Sequence, residues 1–108
     1  MADYVRVASV SDFREGYVRT FMIKSEEIGV VLHEGRYYAF GGYCPHNYFS
    51  FNWTRVRDGD LICCTSHNSW FELATGKAIE GPAVQDLPLY NVRIEGDDVL
   101  VDPEPLED

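Results

Sequence analysis

Hydrophobic and polar residues alternate in short runs along the chain, and turn residues separate one run from the next. Alternation with a period of two over four to eight residues predicts half-buried β-strands, and no stretch keeps the 3.6-residue period of an amphipathic helix. We therefore predict an all-β fold of antiparallel strands. The predicted strands cover residues 4–7, 17–23, 28–33, 37–40, 61–64, 77–79, 89–94 and 99–101.

Glycine-containing turns connect several of these strands. Residues 34–36 separate two alternating runs, and residues 95–98 separate two more, which predicts a hairpin at each place. Gly41 and Gly42 interrupt the pattern, and they predict a point where the backbone turns and approaches another group closely. The acidic residues 103–108 are predicted to form a frayed tail.

The order of the elements predicts a single domain over residues 1–108. Antiparallel strands from both ends of the chain would form a sandwich-like or barrel-like base, and residues 42–85 would be inserted into it as a smaller β lobe. With 108 residues, of which 45% are hydrophobic, the chain can bury one modest core.

Two short motifs contain candidate metal ligands, Cys44-Pro45-His46 and Cys64-Thr65-Ser66-His67. Thiolates and imidazoles suit both iron-sulfur clusters and zinc, so the ligand types leave both metals open. Structural zinc sites of mixed ligands usually pair Cys with Cys and His with His, whereas each motif here contributes one of each. The spacing favours a 2Fe-2S cluster in which Cys44 and Cys64 bind one iron and His46 and His67 bind the other. A zinc-stabilised binding module remains the alternative.

One cysteine and one histidine are left outside the two motifs. Cys63 neighbours Cys64 on a predicted strand, so its side chain is expected to point to the opposite face and to pack in the core. His33 is expected to be a solvent-facing residue at a strand end. A single remaining thiol cannot form an internal disulfide, which favours a reducing compartment.

Acidic residues outnumber basic ones by 18 to 9, which gives a formal net charge of −9. This charge argues against nucleic acid or an anionic membrane as a partner, and it fits either a basic protein partner or a solubility requirement. No apolar stretch follows Met1, so we expect neither a signal peptide nor a membrane anchor. The expected location is the cytoplasm.

Over nearly its whole length the chain resembles the Rieske family. The resemblance rests on the two ligand motifs, the aromatic run at residues 37–40, Trp70-Phe71 after the second histidine, the turn at 75–77, the loop at 81–83 and the hairpin at 92–101. It implies the Rieske fold, in which two loops of the lobe hold the cluster at one tip, with the histidine ligands nearest solvent. Residues 81–83 would lie over the cluster.

The resemblance further implies a soluble ferredoxin that passes single electrons from a flavin-dependent reductase to a terminal oxygenase, one that acts on aromatic compounds. A mononuclear iron site needs two histidines and a carboxylate, and only His33 is unassigned, so the chain is expected to be an electron carrier and not an enzyme. No glycine-rich nucleotide-binding motif is present. The protein would be a monomer that meets its partners transiently. The rival interpretation is a small subunit of a larger reductase, such as a nitrite reductase.

Residues beside the histidine ligands are candidates for the partner-facing rim, and they would equally serve to shield the cluster from water. These residues are Asn47, Tyr48, Phe49 and Asn68.

The resemblance also carries an expectation for the reduction potential. High-potential relatives have a cysteine pair where this chain has Phe49 and Ser66, and they have serine and tyrosine hydroxyls where it has Ser69 and Phe71. Histidine-ligated 2Fe-2S centres span about −150 to +300 mV, and we predict a value in the lower part of that range.

Overall fold

The computed structural model describes residues 4–43, 50–57, 60–64, 69–80 and 86–106, and in these ranges the chain is built from β-strands. The strands are β1 (Val5–Ser9), β2 (Arg19–Ile23), β3 (Glu26–His33), β4 (Arg36–Gly41), β5 (Leu61–Cys64), β6 (Ser69–Glu72), β7 (Ala78–Glu80), β8 (Leu89–Tyr90), β9 (Val92–Glu95) and β10 (Asp98–Val101). One short 3-10 helix, Val10–Asp12, follows β1. All pairings between these strands are antiparallel, so the predicted all-β class is confirmed.

The strands form three sheets, and the first joins the two ends of the chain. Its order is β1-β10-β9, with Val5 opposite Val101. Val99 and Val101 are fully buried, whereas Asp98 and Leu100, which alternate with them along β10, are partly exposed. This alternation is typical of a sheet with one face on the core.

The second sheet has the order β2-β3-β4-β8 and lies between two hydrophobic cores. Neighbouring residues of a strand point to opposite faces, and this sheet is apolar on both. On β3, Val30 packs in the core shared with Val99 of the first sheet, whereas Val31 packs in the core shared with Ile62. The predicted hairpin between β3 and β4 is present, and its turn uses positive φ at Glu34 and Gly35.

The third sheet, β5-β6-β7, lies within residues 61–80. Ile62 and Phe71 face each other across its first pair and are fully buried against the second sheet. The backbone N–H of Leu73 donates to the carbonyl of Asp60 at 2.9 Å, at the end of this hairpin away from Cys64. This small sheet carries the second of the two ligand motifs.

Three predicted details are wrong. The strand predicted at 89–94 is divided at Asn91, because β8 pairs with β4 whereas β9 pairs with β10. Gly41 does not break the strand but is the last residue of β4. The tail is not frayed at Leu106, whose N–H donates to the Leu89 carbonyl at 2.7 Å.

Within the described ranges, no helix has the length and apolar character required to cross a membrane.

Candidate metal centre

The strands fix the ends of both segments that contain the predicted ligands. Cys64 is the last residue of β5, and its backbone pairs with Ser69 at the start of β6, so the segment 65–68 joins two paired strands. Tyr43 and Ser50 form an antiparallel bridge on either side of the segment 44–49. Cys44, His46 and His67 lie outside the described residues, as do the rim candidates Asn47, Tyr48, Phe49 and Asn68. Each of the two segments, 44–49 and 65–68, is therefore flanked by two backbone positions that are paired with each other.

A third segment starts from the same end of the third sheet. β7 ends at Glu80, which is opposite Trp70 near the start of β6. Because neighbouring strands of this sheet run in opposite directions, the end of β5, the start of β6 and the end of β7 share one end of the sheet. The segments 65–68 and 81–85 therefore both leave from the end at which Cys64 lies.

Two buried aromatic rings, one from the chain that follows each motif, pack against each other. Phe51 follows the first motif and Phe71 follows the second, and both rings are fully buried. Their centroids are 5.8 Å apart with an edge-to-face orientation, and Phe40 of β4 lies 6.2 Å from Phe51 on another side. Edge-to-face aromatic pairs contribute about 0.5–1.5 kcal/mol beyond the area that they bury. The packing role of Phe51 was not predicted. The sequence does contain a pattern that could have indicated it, because a phenylalanine follows each proposed ligand histidine by a few positions.

Glu27 on β3 contacts a residue on either side of the segment 44–49. Its backbone carbonyl accepts a 2.9 Å hydrogen bond from the N–H of Gly42, and its carboxylate Oε2 accepts a 2.7 Å bond from the Ser50 hydroxyl. A Cβ atom on Gly42 would lie 3.0 Å from the carbonyl carbon and oxygen of Glu27. The close approach predicted for the paired glycines is therefore confirmed at Gly42. The contacts of Glu27 could not be predicted from the sequence, because a glutamate in an alternating strand is normally a solvated residue.

The remaining cysteine, next to Cys64 on β5, is buried in the core. Cys63 is 4% exposed and packs in the core, as predicted. Burial raises the pKa of its thiol, and the charge of Arg57 only partly opposes this effect. A neutral, buried thiol is a poor metal ligand, because the thiolate is the form that binds metals.

The remaining histidine, His33, lies near the end of β5 that is opposite to Cys64. His33 Nε2 lies 2.7 Å from Asp60 Oδ1, just before β5 begins, whereas Cys64 is at the other end of that strand. Four residues of extended chain span about 13 Å. His33 is at the end of β3 as predicted, but its side chain is only 17% exposed and faces carboxylates, so its exposure to solvent is less than predicted.

The donors that remain for one site are two thiols and two imidazoles, from Cys44, Cys64, His46 and His67. This set fits the mixed ligation of a 2Fe-2S cluster with two cysteines on one iron and two histidines on the other. When bound, such a cluster supplies one-electron redox chemistry.

Comparison with known proteins agrees with this donor set. Residues 3–91 match the model of the Rieske [2Fe-2S] domain. The chain is 33% identical over 104 residues to the ferredoxin component of the alkene monooxygenase system of Xanthobacter autotrophicus, covering 96% of this chain and 84% of that protein. It is 34% identical over 99 residues to the ferredoxin component of biphenyl 2,3-dioxygenase of Rhodococcus jostii, covering 92% of each chain.

A solved structure gives the same result for the fold. The ferredoxin of carbazole 1,9a-dioxygenase from Nocardioides aromaticivorans IC177 superposes with a TM-score of 0.86 and 26% identity, covering 94% of this chain and 98% of that one. The Rieske fold is therefore confirmed, and with it a Rieske-type 2Fe-2S cluster as the cofactor in place of zinc. The relatives are ferredoxin components, so the protein is an electron carrier and not a catalytic oxygenase subunit. The chain belongs to the Rieske [2Fe-2S] domain family.

Proposed function

We propose that Cys44, His46, Cys64 and His67 hold the 2Fe-2S cluster, in a lobe formed by residues 42–85. The observation that supports the assignment is that the described residues behind both motif segments pack against each other. Each segment is flanked by a paired backbone position, and the chain behind each contributes one ring to the Phe51–Phe71 pair. The neighbouring Cys63 is buried, which leaves Cys64 as the cysteine of the second motif that is available to iron.

The described residues contribute to electron transfer by holding the segments and by excluding water. Three aromatic side chains, of which Phe51 contacts the other two, are at most 1% exposed to solvent: Phe40, Phe51 and Phe71. A packed apolar layer behind a redox centre limits the solvent reorganisation that accompanies a change of charge. Phe71 carries no hydroxyl, so this position supplies no hydrogen-bond donor, which supports a potential in the lower part of the range.

The partners proposed are a flavin-dependent reductase as electron donor and a terminal oxygenase as acceptor. Support for the oxygenase comes from the names of the relatives, which belong to an alkene monooxygenase system, a biphenyl dioxygenase and a carbazole dioxygenase. Two of those three names specify aromatic substrates, so an oxygenase of aromatic compounds is proposed here. The rim would consist of Asn47, Tyr48, Phe49 and Asn68.

The protein is proposed to act as a monomer in the cytoplasm and to meet its partners in brief encounters. A net charge of −9 would steer it towards basic surfaces, so its electron-transfer rate with the true partner should fall as salt increases. An unchanged rate between low and high ionic strength would leave the charge with a role in solubility alone.

The deciding experiment is electron paramagnetic resonance of protein reconstituted with iron and sulfide without air and reduced with dithionite. We expect a rhombic signal whose average g is below that of an all-cysteine 2Fe-2S centre. A colourless, silent sample that retains zinc instead would contradict the proposal.

Two adjacent cysteines provide a matched pair of variants for the ligand assignment. Cys64→Ala should abolish the signal and the visible absorption, whereas Cys63→Ala should retain both, since Cys63 packs in the core. Retention of the signal in Cys64→Ala would remove this residue from the ligand set.

A further inference from the structure

A second group of metal-ligating side chains lies at the end of β5 that is remote from Cys64. His33 is the last residue of β3, Glu34 begins the following turn, and Asp60 directly precedes β5. His33 Nε2 is 2.7 Å from Asp60 Oδ1 and 3.6 Å from Glu34 Oε2. One donor atom from each residue lies within 4.8 Å of the others.

These separations match the size of a small divalent ion. Zinc takes nitrogen and carboxylate oxygen at about 2.0–2.2 Å in tetrahedral geometry, which places neighbouring donors about 3.3 Å apart. The two distances from Nε2 lie on either side of this value. The side chains of Asp60 and Glu34 are 61% and 77% exposed, so both carboxylates are free to adjust by the small amount required.

The histidine is less exposed, at 17% of its side chain, and a third carboxylate lies near its other nitrogen. Glu15 Oε2 lies 3.7 Å from His33 Nδ1, and the same oxygen accepts a 2.7 Å hydrogen bond from the backbone N–H of Glu34. A carboxylate on the nitrogen opposite the metal is the usual arrangement around a metal-binding histidine, because it fixes the tautomer and the ring orientation. Here the Glu15 carboxylate is too far from Nδ1 for a direct hydrogen bond, and Nε2 is the nitrogen nearest Asp60 and Glu34.

The group opens into a solvent-accessible cavity of about 300 Å³. The lining also includes Arg55 and Arg57, so the site is not purely anionic. The Arg55 guanidinium lies 6.0 Å from the centre of the Tyr17 ring, where it has an aromatic partner. The cavity thus provides entry for an ion and space for a water ligand in a fourth position.

We propose that His33, Glu34 and Asp60 bind a divalent ion of the zinc type, beside the carboxylate of Glu15. Imidazole together with carboxylates selects zinc and its neighbours in the first transition row over magnesium or calcium, which prefer oxygen alone. The ligands come from the second sheet and from the residue that leads into the third, so the ion joins the two sheets. The site is independent of the iron-sulfur assignment.

The test is isothermal titration calorimetry, in which Zn²⁺ is added to the protein with its cluster intact. Visible absorption is recorded alongside to show that iron is not displaced. We expect one equivalent to bind. His33→Gln and Asp60→Asn should each weaken binding at least ten-fold, and Glu15→Gln should weaken it by a smaller factor, because its carboxylate is near the imidazole without a hydrogen bond to it. Glu95→Gln, a control carboxylate exposed to a similar degree on β9, should leave the affinity unchanged.

A direct readout comes from the histidine itself. The chain has three histidines, and two are assigned to the cluster, so in ¹⁵N-histidine-labelled protein the Nε2 resonance of His33 is identifiable by its absence in His33→Gln. Zn²⁺ should shift that resonance and leave cluster absorption intact. No binding at millimolar Zn²⁺, equal affinity in all variants, or uptake only with loss of the visible spectrum would each overturn the proposal. Asp60→Asn keeps the test decisive if His33→Gln does not fold.

Discussion

The ring of Phe51 meets the ring of Phe71 edge-on, with centroids 5.8 Å apart and ring planes at 80°. Phe51 follows the segment 44–49 and Phe71 follows the segment 65–68, so this contact is a direct link between the two parts of the chain that carry the proposed ligands. Both side chains are fully buried, and a change in one ring therefore affects the support of both segments.

Replacing Phe51 with alanine should loosen the cluster as well as the fold. Loss of a buried phenylalanine costs about 3–5 kcal/mol, and Phe51→Leu should cost less because it leaves a smaller cavity. We expect faster bleaching of visible absorption in chelator for Phe51→Ala than for Phe51→Leu. Phe13→Ala is the control, because its ring contacts Phe21 and Tyr37 in the other core. Equal bleaching rates in Phe13→Ala and Phe51→Ala would contradict a local role for the ring pair.

Gly42→Ala should displace the start of the first motif segment. The added Cβ would meet the Glu27 backbone at 3.0 Å, so the Gly42–Glu27 hydrogen bond must lengthen or break. We expect lower cluster occupancy, measured as iron per protein after reconstitution. Gly96→Ala provides a contrast, since it adds a Cβ into open space at a positive φ of 61° and should cost about 1 kcal/mol of strain without loss of iron. Full iron occupancy in Gly42→Ala would show that the approach to Glu27 is not required.

Ser50→Ala tests the contact at the other end of the same segment. The Ser50 hydroxyl donates to Glu27 and accepts from the N–H of Asn52. Thr75 has the same pattern on the turn before β7, where its hydroxyl donates to Glu72 and accepts from the N–H of Lys77, so Thr75→Ser and Thr75→Ala serve as matched controls.

A side-chain hydrogen bond of this kind contributes about 0.5–1.5 kcal/mol, and a bond to a carboxylate contributes more. Both alanine variants should therefore lower the thermal midpoint by a few degrees. Only Ser50→Ala should accelerate cluster loss at a temperature well below unfolding. If Thr75→Ala has the same effect on the cluster, the Glu27 contact has no special role.

The reduction potential should lie in the lower part of the histidine-ligated range. Position 71 is a phenylalanine with its ring fully buried, so it offers no hydroxyl to the cluster sulfurs, and hydrogen bonds to sulfur raise the potential. We expect a midpoint below about +150 mV with little change near pH 7. Potentiometric titration followed by visible absorption measures it directly, and a higher midpoint would show that other donors compensate for Phe71.

The elements that the sequence predicted well are those set by local chemistry. The β3–β4 hairpin follows from Glu34-Gly35 between two alternating runs, and positive φ at both residues explains why a glycine is present. Burial of Cys63 followed from alternation with Cys64.

Features that depend on distant partners were not predictable in this way. Residues 89–94 contain no glycine or proline that would mark a boundary, and only the choice of β4 or β10 as a neighbour divides them into two strands. The group around His33 combines Glu15, Glu34 and Asp60, which come from three separate turns. Glu27 likewise acquires its role through Gly42 and Ser50, and neither contact leaves a pattern in the residues around it.

The pairing of Val5 with Val101 has a consequence for the order of folding. Closing a longer loop costs more entropy, and sheets built from distant strands form slowly, whereas β5, β6 and β7 are contiguous within residues 61–80. During synthesis β1 is made before the third sheet and its partner β10 after it, so the sheet that carries Cys64 can form while β1 still lacks a partner. Closure of the first sheet is therefore expected to be the final step of folding, and a nascent chain halted before Asp98 should already contain the hairpins of the third sheet.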